Sequence, residues 1–152
     1  MRVFVDADAC PTEIRDIIAR AAIKRDVDAI FVANKSTSTR AHHRIVHVQV
    51  LPGPDQADHY IVANAERGDL VVTQDIPLAA QLVPQGITVI GPRGESYNDD
   101  NIADKLSRRD LMQELRDIGE ITGGPKPFDD RLKRKFANLF DAALHRLMRQ
   151  TL

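Results

Sequence analysis

Four aspartates have the residue type and the spacing to do chemistry. Asp6 and Asp8 follow a short apolar run, Asp58 lies early in a predicted helix, and Asp75 follows another apolar run. In a parallel sheet the carboxyl ends of strands and the starts of the following helices share one edge, so these side chains can meet. Two carboxylates about 4 Å apart repel by roughly 4 kcal/mol at an effective dielectric near 20. Shared protons, nearby arginines or a divalent cation must therefore offset this repulsion.

Clustered carboxylate oxygens favour Mg²⁺ or Mn²⁺, which keep several waters and bind few carboxylates. We therefore predict Asp6, Asp8, Asp58 and Asp75 as metal ligands and catalytic residues. Thr73 stands two residues before Asp75, so its side chain can share that face and hydrogen-bond a ligand or a water. Thr73 is accordingly a further catalytic candidate, although β-propensity explains a threonine there equally well.

Other interpretations of the same residues stay open. Each aspartate taken alone also fits the N-cap of a helix. The pair Asp6 and Asp8 also resembles aspartyl-phosphate phosphatases of the haloacid dehalogenase type, with a nucleophile and a general acid. That scheme needs a later lysine at a strand end, and none follows predicted strand five closely. A cysteine phosphatase loop at Cys10 would need arginine at position 16, which is Asp16, so Cys10 is predicted to be a packed residue.

The apolar periodicity predicts the elements that position these side chains. Strands are predicted at 3–5, 29–33, 45–51, 70–73 and 87–90. Helices are predicted to open at Pro11-Thr12, with Thr12 as N-cap, and to span 55–67, 76–82, 101–118 and 129–150. Short, nearly continuous apolar strands between helices favour an α/β fold with a mostly parallel five-stranded sheet in three layers. The pattern leaves the order of the strands open.

The length and composition indicate one globular domain. A chain of 152 residues can bury a core of its own, and 43% hydrophobic with 28% charged residues is ordinary for such a domain. We predict an α/β core over 1–94 and a helical C-terminal extension over 95–152 that packs on it. The apolar runs are far shorter than a membrane span, and the N-terminus has no basic-then-apolar leader. We therefore expect a cytoplasmic protein without a membrane partner.

The charge is unevenly distributed and indicates a polyanionic partner. Residues 125–152 hold seven Lys and Arg against three Asp, so this segment carries +4 of a net charge of −1 and the rest carries −5. A solvated helix face is the alternative explanation. The residues predicted to contact nucleic-acid phosphates are Arg40, Arg93, Lys126, Arg131, Lys133, Arg134 and Lys135. Aromatic residues make up only 5%, so little sequence readout is expected.

Several segments of the chain resemble the YaiI/YqxD family of uncharacterised bacterial proteins. These segments are VDADACP at 5–11, QAD at 56–58, GDLVVTQDIPLA at 68–79, PRG at 92–94, and the stretch from Gly123-Gly124-Pro125 to Asp130-Arg131. The resemblance covers nearly the whole chain. The family is similar to the PIN-like superfamily, whose members are metal-dependent ribonucleases with acidic residues at the carboxyl edge of a parallel sheet.

The resemblance implies a PIN-like three-layer α/β/α sandwich with C-terminal helices. It implies that Asp6, Asp58 and Asp75 stand where metal-binding carboxylates would, with Asp8 as an added ligand. Many PIN domains carry a further acidic residue after the Asp of the fourth strand, where this chain continues Ile76-Pro77-Leu78. The expected function is a Mg²⁺- or Mn²⁺-dependent phosphodiesterase, a hydrolase acting on RNA, which is favoured, or DNA. The alternatives are an inactive PIN-like module that binds nucleic acid or protein and, third, an aspartate-based phosphatase.

The basic C-terminal segment generates a prediction of its own. Charge reversal at Lys133, Arg134 and Lys135 should weaken the association with single-stranded nucleic acid and flatten its salt dependence. Each lost phosphate contact should lower the slope of log K against log salt by about 0.7 for a single strand. Fluorescence anisotropy across a salt series measures this slope, and an unchanged slope would show that the segment is only a solvated face.

Overall fold

The computed structural model describes residues 1–36, 40–124 and 126–150. Within these ranges the strands are β1 Arg2–Asp6, β2 Asp28–Ala33, β3 Ile45–Gln49, β4 Leu70–Val72, β5 Thr88–Ile90 and β6 Ser96–Tyr97. The helices are α1 Thr12–Arg25, α2 Gln56–Asn64, α3 Ile76–Leu82, α4 Ile102–Asp117 and α5 Asp130–Gln150. Short 3₁₀ turns, Ala7–Ala9 and Val83–Gln85, follow β1 and α3. Residues 37–39, between the predicted strands 29–33 and 45–51, and Pro125, between the predicted helices 101–118 and 129–150, lie outside the described ranges.

The strands form one sheet in the order β3-β2-β1-β4-β5-β6. The pairings among β1 to β5 are parallel, and β6 runs antiparallel to β5. This confirms the predicted α/β class with a mostly parallel sheet and is consistent with a PIN-like sandwich. The predicted number of strands was wrong, because the structure contains a sixth strand at the edge. With only two residues, β6 is too short to show a period of two in the sequence.

Alternation along β1 explains the three layers. Val3 and Val5 are fully buried on one face of the sheet, where α1 and α5 cover them, and Phe4 is fully buried on the other face against α2 and α3. Helix α4 packs mainly against α3. Because both faces of the sheet are covered, the central strands are apolar throughout, as parallel strands usually are.

The first helix begins differently from the prediction. Thr12 is not the N-cap, because the carbonyl oxygen of Pro11 already accepts hydrogen bonds from the amides of Ile14 and Arg15, both at 3.0 Å. Thr12 is the first helical residue, and its hydroxyl accepts a hydrogen bond from the Arg15 guanidinium at 2.9 Å. Proline can precede the helix because the first amides of a helix have no partner within it.

At the amino edge of the sheet, hydrogen-bond donors surround the buried carboxylate of Asp69. Asp69 is 4% exposed and accepts hydrogen bonds from the Arg2 amide at 2.8 Å, the Arg2 guanidinium at 3.0 Å and the Glu66 amide at 2.9 Å. Its carboxylate ties the start of β1 to the turn before β4.

The C-terminal helix lies against the core. Arg25 of α1 pairs with Asp141 of α5, and Lys133 pairs with Glu13 in the first turn of α1 at 3.9 Å. Gly94 follows β5 with φ +85°, and a Cβ there would lie 2.6 Å from the Lys135 side chain. Only glycine allows this approach without displacement, so the turn holds the start of α5 near the carboxyl edge of the sheet. None of the helices in the described ranges is long and apolar enough to cross a membrane.

The packing of α5 generates a stability prediction. Phe140 is 1% exposed and stacks on Phe136 with ring centroids 5.4 Å apart. We expect Phe140→Ala to lower the free energy of unfolding by about 3–5 kcal/mol, because it leaves a cavity in the core. Leu111→Ala on α4, where the side chain is 54% exposed, should change it by less than about 0.5 kcal/mol. Urea unfolding followed by circular dichroism measures both, and equal effects would contradict the packing described here.

Candidate functional site

The neighbouring strands β1 and β4 bring Asp6 and Thr73 together. From β1 the chain continues to β2 and β3 on one side of the sheet and later returns to β4 and β5 on the other, which makes this position a topological switch point. Val5 pairs with Val72 in parallel register, so the next residues, Asp6 and Thr73, lie side by side. The buried Thr73 hydroxyl donates a hydrogen bond to Oδ2 of Asp6 at 3.0 Å. This contact fixes the orientation of the Asp6 carboxylate.

Asp75 has both a structural and a possible chemical role. Its amide donates a hydrogen bond to the Thr73 hydroxyl at 3.0 Å, and its own Oδ1 accepts one from the Leu78 amide at 3.0 Å as N-cap of α3. Asp75 still offers a carboxylate oxygen to its acidic neighbours. The structure therefore contains both the N-cap and the clustered carboxylate that the sequence allowed as alternatives.

Three carboxylates converge at this edge of the sheet. Asp55, Asp58 and Asp75 each offer an oxygen, and these oxygens all lie within 4.8 Å of one another. Asp58 stands in the first turn of α2, and Asp55 precedes that helix with φ 64°, a left-handed conformation that aspartate tolerates better than most residues. Oxygen ligands of a hard dication lie about 2.0–2.6 Å from it, so oxygens on opposite sides are roughly 4–5 Å apart. The donor set therefore fits one hard dication.

Burial and the charges of neighbouring carboxylates raise the pKa of Asp58 and of Asp6. Burial, followed by the charge and hydrogen bond of Asp75, raises the pKa of Asp58 to about 7. Burial also raises the pKa of Asp6, opposed by the hydrogen bond from Thr73 and reinforced by the charges of Asp75 and Asp8. Among the described residues, no lysine or arginine nitrogen pairs within 4.0 Å with Asp6, Asp55, Asp58 or Asp75. A proton or a bound cation is thus the means of compensation that these residues leave open.

Asp8 lies apart from the three converging carboxylates. It is exposed in the 3₁₀ turn after β1, and its Oδ2 accepts a hydrogen bond from the Asn34 amide at 2.7 Å. This contact ties the end of β2 to the end of β1. Within the described ranges, the group of oxygens within 4.8 Å includes neither Asp8 nor Asp6.

The residues predicted to contact phosphates do not line the group of acidic residues. Arg40 pairs with Asp16 of α1 at 3.2 Å, and Arg93 donates a hydrogen bond to the carbonyl of Lys126. Lys133 and Arg134 line a groove of about 480 Å³ between α1 and α5, while Arg131 is exposed on α5. The clefts that contain Asp6, Asp58 and Asp75 are lined by none of the seven predicted basic residues, Arg40, Arg93, Lys126, Arg131, Lys133, Arg134 and Lys135.

The acidic edge opens into two neighbouring clefts. One of about 330 Å³ is lined by Asp55, Asp58 and Asp75 together with His59, Gln81 and Arg109. The other, of about 310 Å³, is lined by Asp6, Asp75, Ile76 and Arg109. Sequence reasoning missed Asp55 as a ligand and did not single out His59 or Arg109. The spacing of three residues between Asp55 and Asp58 at a helix start is a signal that could have found Asp55.

Cys10 does not contribute a nucleophile. Its side chain is 7% exposed within the core, and burial raises the pKa of its thiol to about 12. A thiolate is therefore not populated near neutral pH. The prediction that Cys10 is a packed residue is confirmed, which removes the basis for a cysteine phosphatase.

The comparisons with known proteins establish the family. The sequence model of the family described as "Uncharacterized BCR, YaiI/YqxD family" matches residues 4–146, so the chain belongs to this family. The match includes Asp6, Asp55, Asp58, Asp75 and Arg109.

Relatives of similar length support this assignment. A UPF0178 protein from Syntrophobacter fumaroxidans is 48% identical over 141 residues, covering 93% of this chain and 92% of the relative. One from Myxococcus xanthus is 48% identical over 149 residues, covering 98% and 97%. One from Psychromonas ingrahamii is 44% identical over 151 residues, covering 99% and 100%. No solved structure gives a significant match to this chain.

The raised pKa of Asp58 predicts how stability depends on pH. In the folded protein the pKa of Asp58 is about 7, above its ordinary value of 3.8, so folding favours the neutral carboxyl. The contribution of this group to the free energy of unfolding is therefore complete below about pH 4 and is lost as the pH rises through 7. The difference between these two pKa values corresponds to about 4 kcal/mol without solvent screening. The partial exposure of Asp58 to solvent reduces this free energy to roughly 1–2 kcal/mol. We expect Asp58→Asn to raise the free energy of unfolding by that amount at pH 8 and to leave it nearly unchanged at pH 4.5.

Urea unfolding in EDTA at both pH values tests this expectation. Asp99→Asn is the matched control, because it removes the same charge from an exposed turn residue outside the acidic clefts. Equal effects of Asp58→Asn at pH 4.5 and pH 8 would contradict the electrostatic description of the group.

Proposed function

We propose that this protein is a Mg²⁺- or Mn²⁺-dependent phosphodiesterase that hydrolyses RNA or DNA, with RNA as the favoured substrate. The observation that carries the proposal is the convergence of Asp55, Asp58 and Asp75 at the switch point of a parallel sheet. The resemblance to PIN-like nucleases, which hold acidic residues at the same kind of edge, supports it. This resemblance concerns the fold, so the activity itself is argued from the site.

In this proposal Asp55, Asp58 and Asp75 hold the cation. The ion, when bound, would polarise a phosphodiester oxygen and lower the pKa of a bound water. Its charge would also replace the proton that Asp58 otherwise retains near pH 7, so binding should release protons below that pH. Asn at position 75 can still cap α3, which allows this ligand to be tested without loss of the cap.

In this proposal Asp6 accepts a proton from the attacking water. Its carboxylate is oriented by Thr73, lines the cleft next to Asp75 and has a raised pKa, which suits a proton acceptor. The water oxygen would bond to phosphorus as the bond from phosphorus to the leaving sugar oxygen breaks. One water proton would pass to Asp6, and the leaving oxygen would take a proton from solvent. Asp8, whose carboxylate accepts the Asn34 amide, keeps the two strand ends together.

Metal binding is the first test of this proposal. Calorimetric titration with Mn²⁺ should show uptake by the wild type and by the control Asp99→Asn. Asp75→Asn should bind at least about tenfold more weakly, since it removes one ligand from the donor set. If the wild type shows no Mn²⁺ uptake that depends on these carboxylates, the proposal is wrong.

Cleavage assays separate the ligands from the proton acceptor. With Mn²⁺ at saturation, single-stranded oligonucleotides should be cleaved by the wild type and by Asp99→Asn. Asp6→Asn should retain Mn²⁺ binding within about threefold yet lose at least 10²-fold in rate, the usual contribution of a general base. Metal uptake without any cleavage of RNA or DNA would instead favour the inactive binding module. Hydrolysis of a generic aryl phosphate that disappears in Asp6→Asn would favour a phosphatase.

A further inference from the structure

A basic cleft continues from the acidic edge onto helix α4. This cleft, of about 320 Å³, is lined by Ile76, Glu95 and Met112 and by four basic side chains, Lys105, Arg108, Arg109 and Arg116. Arg109 also lines both acidic clefts, and Ile76 lines the cleft that contains Asp6. The three clefts are therefore contiguous and meet at Arg109.

The four basic side chains belong to one face of α4. Lys105, Arg109 and Arg116 follow one another at spacings of four and seven residues, and Arg108 stands three residues after Lys105. Such spacings place side chains on the same side of a helix. Because α4 packs mainly against α3, which Asp75 caps, this face adjoins the acidic edge.

The present partners of these side chains are weak and exchangeable. Arg109 pairs with its neighbour Asp110 at 3.1 Å, Arg108 with Asp104 at 3.2 Å, and Lys105 with Glu95 at 4.0 Å. The Arg108 and Arg109 side chains are 78% and 46% exposed, and exposed ion pairs of this kind contribute little to stability. A phosphate offers arginine a stronger, bidentate partner.

We infer that the α4 cleft binds the phosphodiester backbone of a single-stranded nucleic acid and leads it to the acidic edge, with Arg109 as a positioning residue between the two. The inference rests on the proposed function, because it concerns the substrate of that same site. A polyanion approaching four aspartates is repelled unless cations line its path, and this cleft provides them. Its volume is that of a site for one small ligand, which matches a short stretch of a single strand.

The side chains that line the α4 cleft predict little recognition of the base sequence. Its lining contains no aromatic side chain among the described residues, so bases have no stacking platform there. Binding should therefore depend on phosphate contacts, and single-stranded RNA and DNA of mixed sequence should bind through the same residues.

The test measures binding without cleavage. Fluorescence anisotropy in EDTA with labelled single-stranded RNA and DNA compares the wild type with Arg109→Gln/Arg116→Gln. We expect the double variant to bind at least about tenfold more weakly near 0.1 M salt and to lower the salt slope by about 1.4, or 0.7 for each lost contact. The matched control is Arg146→Gln/Arg149→Gln, which removes the same charge from exposed positions on α5 and should leave both quantities unchanged.

The outcomes separate this inference from the nuclease proposal. If the slope falls as expected but the wild type never cleaves with Mn²⁺, the α4 cleft stands and the nuclease proposal is wrong. If the wild type cleaves while Arg109→Gln/Arg116→Gln leaves the salt slope and KM unchanged, the inference is wrong. Duplex that binds as tightly as single strands would also overturn it. Circular dichroism melting verifies that the variants are folded.

Discussion

The parallel pairing of β1 with β4 is the constraint on which the candidate site depends. Its register sets Val5 beside Val72 and therefore Asp6 beside Thr73 at the carboxyl edge. The Thr73 hydroxyl then connects Asp6 to the start of α3, because it donates to the Asp6 carboxylate and accepts from the Asp75 amide. A shift of this register by one residue would turn Asp6 to the opposite face of the sheet and separate it from Thr73.

The carboxylates at the two edges of the sheet have different surroundings. At the amino edge, Asp69 receives three hydrogen bonds, two of them from Arg2. At the carboxyl edge, Asp58 lies beside Asp75 and Asp55 without a basic partner in the described ranges, and its pKa rises to about 7. Uncompensated charge and the left-handed conformation of Asp55 both cost stability. Sites that violate local rules in this way are typically the functional ones.

Acidic and basic side chains lie next to one another at the carboxyl edge of the sheet. Acidic residues alone would repel a polyanion, and basic residues alone would hold it without any chemistry. Here the acidic clefts continue into the basic cleft of α4, and Arg109 lines all three. The start of α5 adds further positive charge near the carboxyl edge, where Lys135 packs over Gly94. A phosphodiester strand and a divalent cation together would satisfy both signs of charge.

Local patterns were sufficient for the class of fold and for part of the site. The apolar strands between amphipathic helices predicted a mostly parallel sheet, and the limits of α3 agree with the predicted 76–82. Asp6 and Asp75 could be placed at the carboxyl edge because each follows an apolar strand, and the motifs around them indicated the family that the comparisons confirm. These features depend on neighbouring residues, so the sequence carries them directly.

The tertiary structure alone decided which side chains meet. The strand order, the inclusion of Asp55 and the separation of Asp8 depend on contacts between residues far apart in the chain. Arg109 belongs to this set as well, because it reaches the acidic edge only through the packing of α4 on α3. Periodicity shows which face of a helix is polar, but the element against which that face packs is decided only when the whole chain folds.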